Sequence, residues 1–112
     1  MESILNSIKK LLGLTVDQTH FDADIIMHIN SVFSVLTQLG VGPAEGFSID
    51  DDLDEWTDFI TDDAKIQLVK SYMYQKVSLL FDPPASSAVL SAKERMISEF
   101  EWRLNSIAES KQ

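Results

Sequence analysis

The sequence predicts an all-α domain of four helices, with an irregular acidic loop or short hairpin between the second and third helices. Three observations support this fold class. Apolar residues recur at spacings of three and four along four stretches of the chain. Glycine or a proline pair follows each of the first three stretches. The 112 residues, of which 45% are hydrophobic, suffice for one core. We therefore expect a single domain over residues 1–112.

The first two helices are predicted from apolar stripes that end at glycine. The first stripe ends before Gly13, and the second ends before Gly40. We expect the second helix over about residues 20–39, with Asp22 and Asp24 at the positive end of its dipole.

The segment after the second helix is predicted to be irregular and strongly acidic. Residues 47–63 carry eight acidic side chains and no basic one. Phe47-Ser48-Ile49 alternates like a very short strand, and three aspartates then interrupt the pattern. The segment is therefore a loop or a partial hairpin.

The third and fourth helices are predicted on either side of a proline pair. The third is expected over residues 62–81 and ends at Pro83-Pro84, because proline cannot extend a helix. The fourth follows Ser86-Ser87 and continues to near residue 107. Apolar side chains outside the main stripe of the third helix predict that it is central in the bundle or shared between subunits: Leu68, Tyr72, Tyr74, Leu79 and Phe81.

Composition excludes several classes of function. The chain has no cysteine, which removes disulfides, thiolate zinc sites and cysteine nucleophiles and fits assembly in the cytoplasm. A net charge of −9 repels a phosphate backbone, so sequence-specific nucleic-acid binding is not expected. We expect neither membrane association nor a cleaved signal, because no apolar run is long enough to span a bilayer and Met1-Glu2-Ser3-Ile4 lacks the layout of a secretion signal.

The acidic run does not match a calcium loop. Counted from Asp50, the sixth position is Glu55 instead of glycine and the twelfth is Thr61 instead of glutamate. A solvated acidic loop is the preferred interpretation, and we expect no metal site and no cofactor.

Histidines offer only weak candidates for catalysis. His28 lies on the apolar side of the second helix, where a partly buried structural histidine is commoner than a general base. His20, Asp22 and Asp24 are interpreted as an N-terminal capping cluster. We expect no catalytic residue, and an enzyme that uses His28 stays a minor alternative.

Aromatic residues inside the acidic segment are more informative. Trp56 and Phe59 must either anchor the segment to the core or contact a partner. In the second case the chain could be a small acidic helical adaptor or regulatory protein that binds a partner through these two residues. Candidate protein-interaction residues are Phe47, Ile49, Trp56, Phe59, Tyr72, Tyr74, Trp102 and Arg103.

Blocks of sequence between Ile25 and Leu104 suggest a family. They are, in order, Leu39-Gly40, Phe47-Ser48-Ile49, Trp56-Thr57-Asp58-Phe59, Val69-Lys70-Ser71-Tyr72-Met73-Tyr74-Gln75-Lys76-Val77, Leu80-Phe81-Asp82-Pro83-Pro84 and Glu99-Phe100-Glu101-Trp102-Arg103-Leu104-Asn105. Together they resemble the head-tail connector, or adaptor, family of long-tailed bacteriophages, often encoded in prophages. The helix before Gly13 departs from the usual start of that family.

The resemblance implies a structural virion protein without enzymatic activity. Such subunits form a ring, typically twelvefold, beneath the portal, extend its channel and dock the stopper or tail-completion protein, while DNA passes without specific binding. The implied location is the virion neck, with assembly in the host cytoplasm. We expect subunit contacts from helices two to four, and portal or stopper contacts from a mobile segment 41–61 and the C-terminal tail.

Overall fold

The computed structural model describes residues 2–110, with side chains placed through Ala108, and it is helical. The four main helices are α1 (Ile4–Leu11), α2 (Asp22–Gln38), α4 (Asp63–Phe81) and α5 (Ser87–Ser110), and a single turn, α3 (Trp56–Phe59), precedes α4. The all-α prediction is confirmed, and α3 is an addition to it. A frayed tail is expected from the sequence over residues 109–112, but α5 continues to Ser110, and residues 111–112 lie outside the described residues.

Helix α1 is an integral part of the core. The Ser3 hydroxyl caps its start by accepting a hydrogen bond from the Asn6 amide at 3.2 Å. Ile4, Leu5 and Ile8 are buried, and the helix packs against α2 and α4. The apolar spacing of this short segment therefore serves the fold itself.

A buried lysine ties the end of α1 to the start of α2. The Lys9 side chain is only 1% exposed, and its Nζ lies 2.8 Å from Asp22 Oδ1. The same ammonium donates to the Val16 carbonyl at 3.1 Å. Because a buried charge is costly unless it is paired, these contacts fix the connection between the helices. The predicted capping cluster is wrong: Phe21 occupies the N-cap without a side-chain cap hydrogen bond, and Asp22 pairs with Lys9.

Helix α4 is the centre of the bundle. It packs against α1, α2 and α5, which confirms the first of the two interpretations of its wide apolar surface. The Tyr72 hydroxyl donates to Glu101 Oε2 at 2.7 Å and so links α4 to α5. Buried core side chains of α4 are Ile66, Val69, Tyr72, Met73 and Val77.

The short strand predicted over Phe47-Ser48-Ile49 is absent; no strand occurs anywhere within residues 2–110. The backbone of Ile49 instead bonds to a side chain of α2, as described below. An isolated bridge between Ser3 and Glu55 is the nearest approach to sheet pairing. Neither of these contacts extends into a ladder, so the irregular-loop alternative is correct.

Candidate interaction surfaces

The acidic loop between α2 and α3 is held at both of its ends. On one side the Asn30 amide donates to the Ile49 carbonyl at 3.0 Å, and Oδ1 of Asn30 accepts from the Ile49 amide at 2.8 Å. On the other side the Ile4 amide donates to the Asp54 carbonyl at 3.0 Å. The predicted mobile segment is therefore anchored on both sides of its tip, residues 50–53, which are all exposed.

Carboxylates of the loop bond to its own backbone. Asp51 Oδ1 accepts from the Leu53 amide at 2.9 Å, and Asp54 Oδ2 accepts from the Asp50 amide at 3.0 Å. These bonds close turns of the kind that aspartate commonly makes. Among residues 2–110, no three histidine, aspartate or glutamate side chains are grouped closely enough to hold a metal ion. The loop presents Leu53, which is 79% exposed, among acidic side chains.

Trp56 and Phe59 are core residues. Trp56 is 3% exposed, and its Nε1 donates to the Ser7 hydroxyl at 2.8 Å. The ring of Phe59 lies 4.8 Å from that of Phe33 and 5.3 Å from that of Phe47, measured between centroids. The core-anchoring interpretation is therefore correct. A partner could not reach these two side chains without opening the fold, which removes the support for the alternative adaptor.

Three other candidate residues also contribute to the fold. Ile49 is buried, and Phe47 is half-buried against the Phe59 ring. Tyr72 is fully buried, and its burial, together with the hydrogen bond to the Glu101 carboxylate, raises the pKa of Tyr72 above its ordinary value. All three side chains stabilise the subunit, and the buried Ile49 and Tyr72 can influence a partner only through the shape of the domain.

The remaining candidates lie on or near the surface. Tyr74 is half-buried beneath Lys93. Trp102 is 70% exposed on α5. Arg103 is also exposed and pairs with Glu99 at 2.7 Å. Successive helical residues are about 100° apart, so Trp102 and Arg103 face different directions. Tryptophan and arginine are the residue types most enriched at the energetic centres of interfaces.

Arg103 belongs to a shallow hollow on the outer side of α5. Met96, Glu99, Phe100 and Arg103 surround about 250 Å³. The spacing of three and four places these residues on one side of the helix. Met96 is not among the residues predicted from the sequence to contact a partner. Met96 and Val89 are seven residues apart, and this spacing is the signal that could have revealed a second, outward stripe.

A comparison with known families decides what kind of protein this is. A sequence model of the family described as phage connector protein matches residues 4–111. The chain belongs to the phage connector protein family. The match reaches into α1 and to the end of the last helix, so it extends beyond the resemblance seen between Ile25 and Leu104. No curated protein and no solved structure matches the chain.

Family membership gives the chain a structural role in a phage particle. As a connector, it interacts with other head or tail proteins and belongs at the virion neck. Within the part of the chain that the structure describes, no helix has the length and apolar character needed to cross a bilayer. Because a connector interacts with other head or tail proteins, the surfaces that matter are those available to them.

The connector leaves many large apolar side chains outside its core. Single exposed apolar residues are normal on a protein surface. In this chain they occur on α1, between α1 and α2, on α2, in the acidic loop, at the end of α4 and on the outside of α5. Among the interaction residues predicted from the sequence, only Trp102 belongs to this exposed set. The exposed large apolar residues are Leu11, Val16, Phe21, Met27, Leu53, Leu80, Val89, Met96 and Trp102.

Proposed function

We propose that this connector forms a ring between the portal and the tail, extends the DNA channel and docks the stopper or tail-completion protein. One observation carries the proposal. The subunit already has a complete core of its own, yet it exposes large apolar side chains on several elements. Such side chains are suited to contacts with neighbouring subunits and with proteins above and below the ring.

A ring requires two different surfaces on each subunit. When the surface of one copy binds a different surface of the next, the contact is head-to-tail, and it closes if the rotation between copies allows. The exposed apolar side chains of this chain lie on separate elements, so the two different surfaces that such a contact needs are available. The family match supports the placement of this ring at the neck.

The acidic segment is suited to a channel that DNA must traverse. Residues 47–63 carry eight acids and no base, and Asp50, Asp51, Asp52 and Asp58 are exposed. Phosphate binding needs clustered lysine and arginine side chains that release counterions. A subunit with this charge distribution would let DNA pass without retaining it.

The test is assembly on capsids that carry the portal encoded beside this chain. Purified connector should co-sediment with these capsids, and negative-stain images should show a ring at the portal vertex. Capsids assembled without portal are the matched control and should bind no connector. The proposal would be contradicted if wild-type connector did not bind portal-bearing capsids, or if it bound both kinds of capsid equally.

A further inference from the structure

A groove of about 540 Å³ opens where α1 and α4 end. It is bordered by Leu11 at the end of α1 and the adjoining Leu12, by Phe81 at the end of α4 and Pro84 just beyond it, and by Lys93 of α5. Leu11 is 45% exposed at its edge. The lining combines apolar side chains with the Lys93 ammonium, the Ser78 hydroxyl and the Asp82 carboxylate, so the groove suits a ligand that has both an apolar and a charged group.

Lys93 is the polar feature that distinguishes this groove. Its Nζ donates to the Ser78 hydroxyl at 2.9 Å and lies 5.9 Å from the centroid of the Tyr74 ring. Among the described residues, no carboxylate lies within ion-pair distance of this ammonium, although Asp82 also borders the groove. Lys9, Lys70, Lys76 and Arg103 each have such a carboxylate. A half-buried lysine without a counter-ion, in a chain of net charge −9, is complementary to an acidic partner.

The tip of the acidic loop offers the matching groups. Leu53 projects into solvent and is flanked by aspartates. Asp51 and Asp54 bond to the loop backbone, whereas Asp52 takes no part in those bonds and is exposed. The tip therefore presents an apolar side chain next to an available carboxylate.

The tip and the groove lie at opposite ends of α1. The Ile4 amide at the start of α1 holds the Asp54 carbonyl, while Leu11 at its other end borders the groove. An eight-residue helix is about 12 Å long, so the anchored loop stays roughly that far from its own groove. The loop can therefore fill only the groove of another copy.

We propose that Leu53 of one copy enters the groove of the next copy and that Asp52 pairs there with Lys93. This inference rests on the proposed ring and names the contact that builds it. The two surfaces differ, as a head-to-tail ring requires. Segment 41–61 was expected to contact the portal or stopper. In the contact proposed here, the loop tip binds the neighbouring subunit instead.

Cysteine pairs test the contact directly, because the chain has no cysteine of its own. Leu53→Cys and Ala85→Cys in one chain place one thiol on the tip and one on the groove. Under mild oxidation, connector assembled on portal-bearing capsids should give a ladder of covalent multimers. Leu53→Cys with Met27→Cys is the matched control; both positions are exposed, and no ladder is expected.

Charge reversal tests the ion pair. Lys93→Glu should weaken self-association by about tenfold, and Asp52→Lys in the same chain should restore it. Asp82→Asn should strengthen association, since it removes a negative charge from the groove. Arg95→Glu, the same charge change at an exposed position of α5, is the control and should leave association within about twofold.

These experiments distinguish a failure of the proposed contact from a failure of the proposed ring. Rings that form normally with Lys93→Glu, and that give no ladder with the Leu53 and Ala85 cysteines, would overturn the contact and leave the ring proposal standing. Ladders of equal strength from the Met27 control would also overturn it. A wild-type chain that forms no rings on portal-bearing capsids would overturn both proposals.

Discussion

Alanine at Gly42 should destabilise the connector through a direct collision with its core. Gly42 has φ of +86°, and a Cβ at this position would lie 2.3 Å from Cε1 of Phe59. Phe59 is itself buried against Phe33 and Phe47, so it has little room to move. The substitution therefore forces either the backbone or the aromatic cluster to shift.

The magnitude follows from two effects that Gly13 allows us to separate. Gly13 has nearly the same φ, +87°, but no atom lies within 4 Å of its added Cβ. Gly13→Ala should cost about 1 kcal/mol of unfolding free energy, from the left-handed backbone alone. Gly42→Ala should lose this and a further 1–3 kcal/mol, roughly the range for an overpacked core. The total unfolding free energy of a domain of this size is about 5–15 kcal/mol, so a loss of this magnitude is readily measured.

Urea unfolding followed by circular dichroism measures both variants. Gly42→Ala should show the lower midpoint with an unchanged slope, and Phe59→Leu should recover part of the loss when it is combined with Gly42→Ala. Equal losses for Gly13→Ala and Gly42→Ala would refute the reasoning, because they would mean that the Phe59 contact contributes nothing beyond the backbone strain.

Three further predictions concern the loop, the core and the surface. Asn30→Ala should lower the unfolding free energy by about 1–3 kcal/mol in urea titrations, because both backbone groups of Ile49 lose their partner; a loss no larger than that of an exposed serine, Ser34→Ala, would contradict it. Since the pKa of Tyr72 is raised in the folded state, the unfolded state releases that proton first above about pH 10, and stability should fall there by about 1 kcal/mol per pH unit. Tyr72→Phe should reduce this alkaline loss of stability, which is measured as the urea midpoint at a series of pH values. An unchanged loss would contradict the prediction. Trp102→Ala should leave stability within about 0.5 kcal/mol but weaken binding to portal-bearing capsids, whereas unchanged capsid binding would exclude an interface role for that ring.

The long helices were predictable because their signals are local. A stripe at spacings of three and four, ended by Gly13, Gly40 or the proline pair at 83–84, is contained within a few turns of sequence. The contacts that shape the acidic loop are not local. Asn30 and Ile49 are 19 residues apart, and no period or motif connects an asparagine on one helix with a backbone amide in a later loop.

The aromatic residues of the acidic segment illustrate the same limit. The sequence left Trp56 and Phe59 between core and interface, because composition alone cannot show what lies opposite a side chain. The partner that holds Trp56 in the core is Ser7, which is 49 residues away in the sequence and accepts the indole hydrogen bond. The burial of Lys9 was not predicted, because a charged residue near the end of a helix is ordinarily solvated. Only its pairing with Asp22 makes this burial tolerable.

Anchoring of the loop by core residues has a consequence for assembly. Ile49 and Trp56 are buried on either side of the tip, and the Asn30 amide fixes the backbone between α2 and the tip. Binding then needs little additional ordering of the tip, so more of the contact energy remains for affinity. Anchoring of the loop also distinguishes variants of the buried anchor residues from variants of the exposed tip. Changes at Ile49 or Trp56 should impair folding and assembly together. A charged side chain in place of Leu53, as in Leu53→Asp, should impair assembly alone, because the Leu53 side chain contributes little to the core of its own subunit.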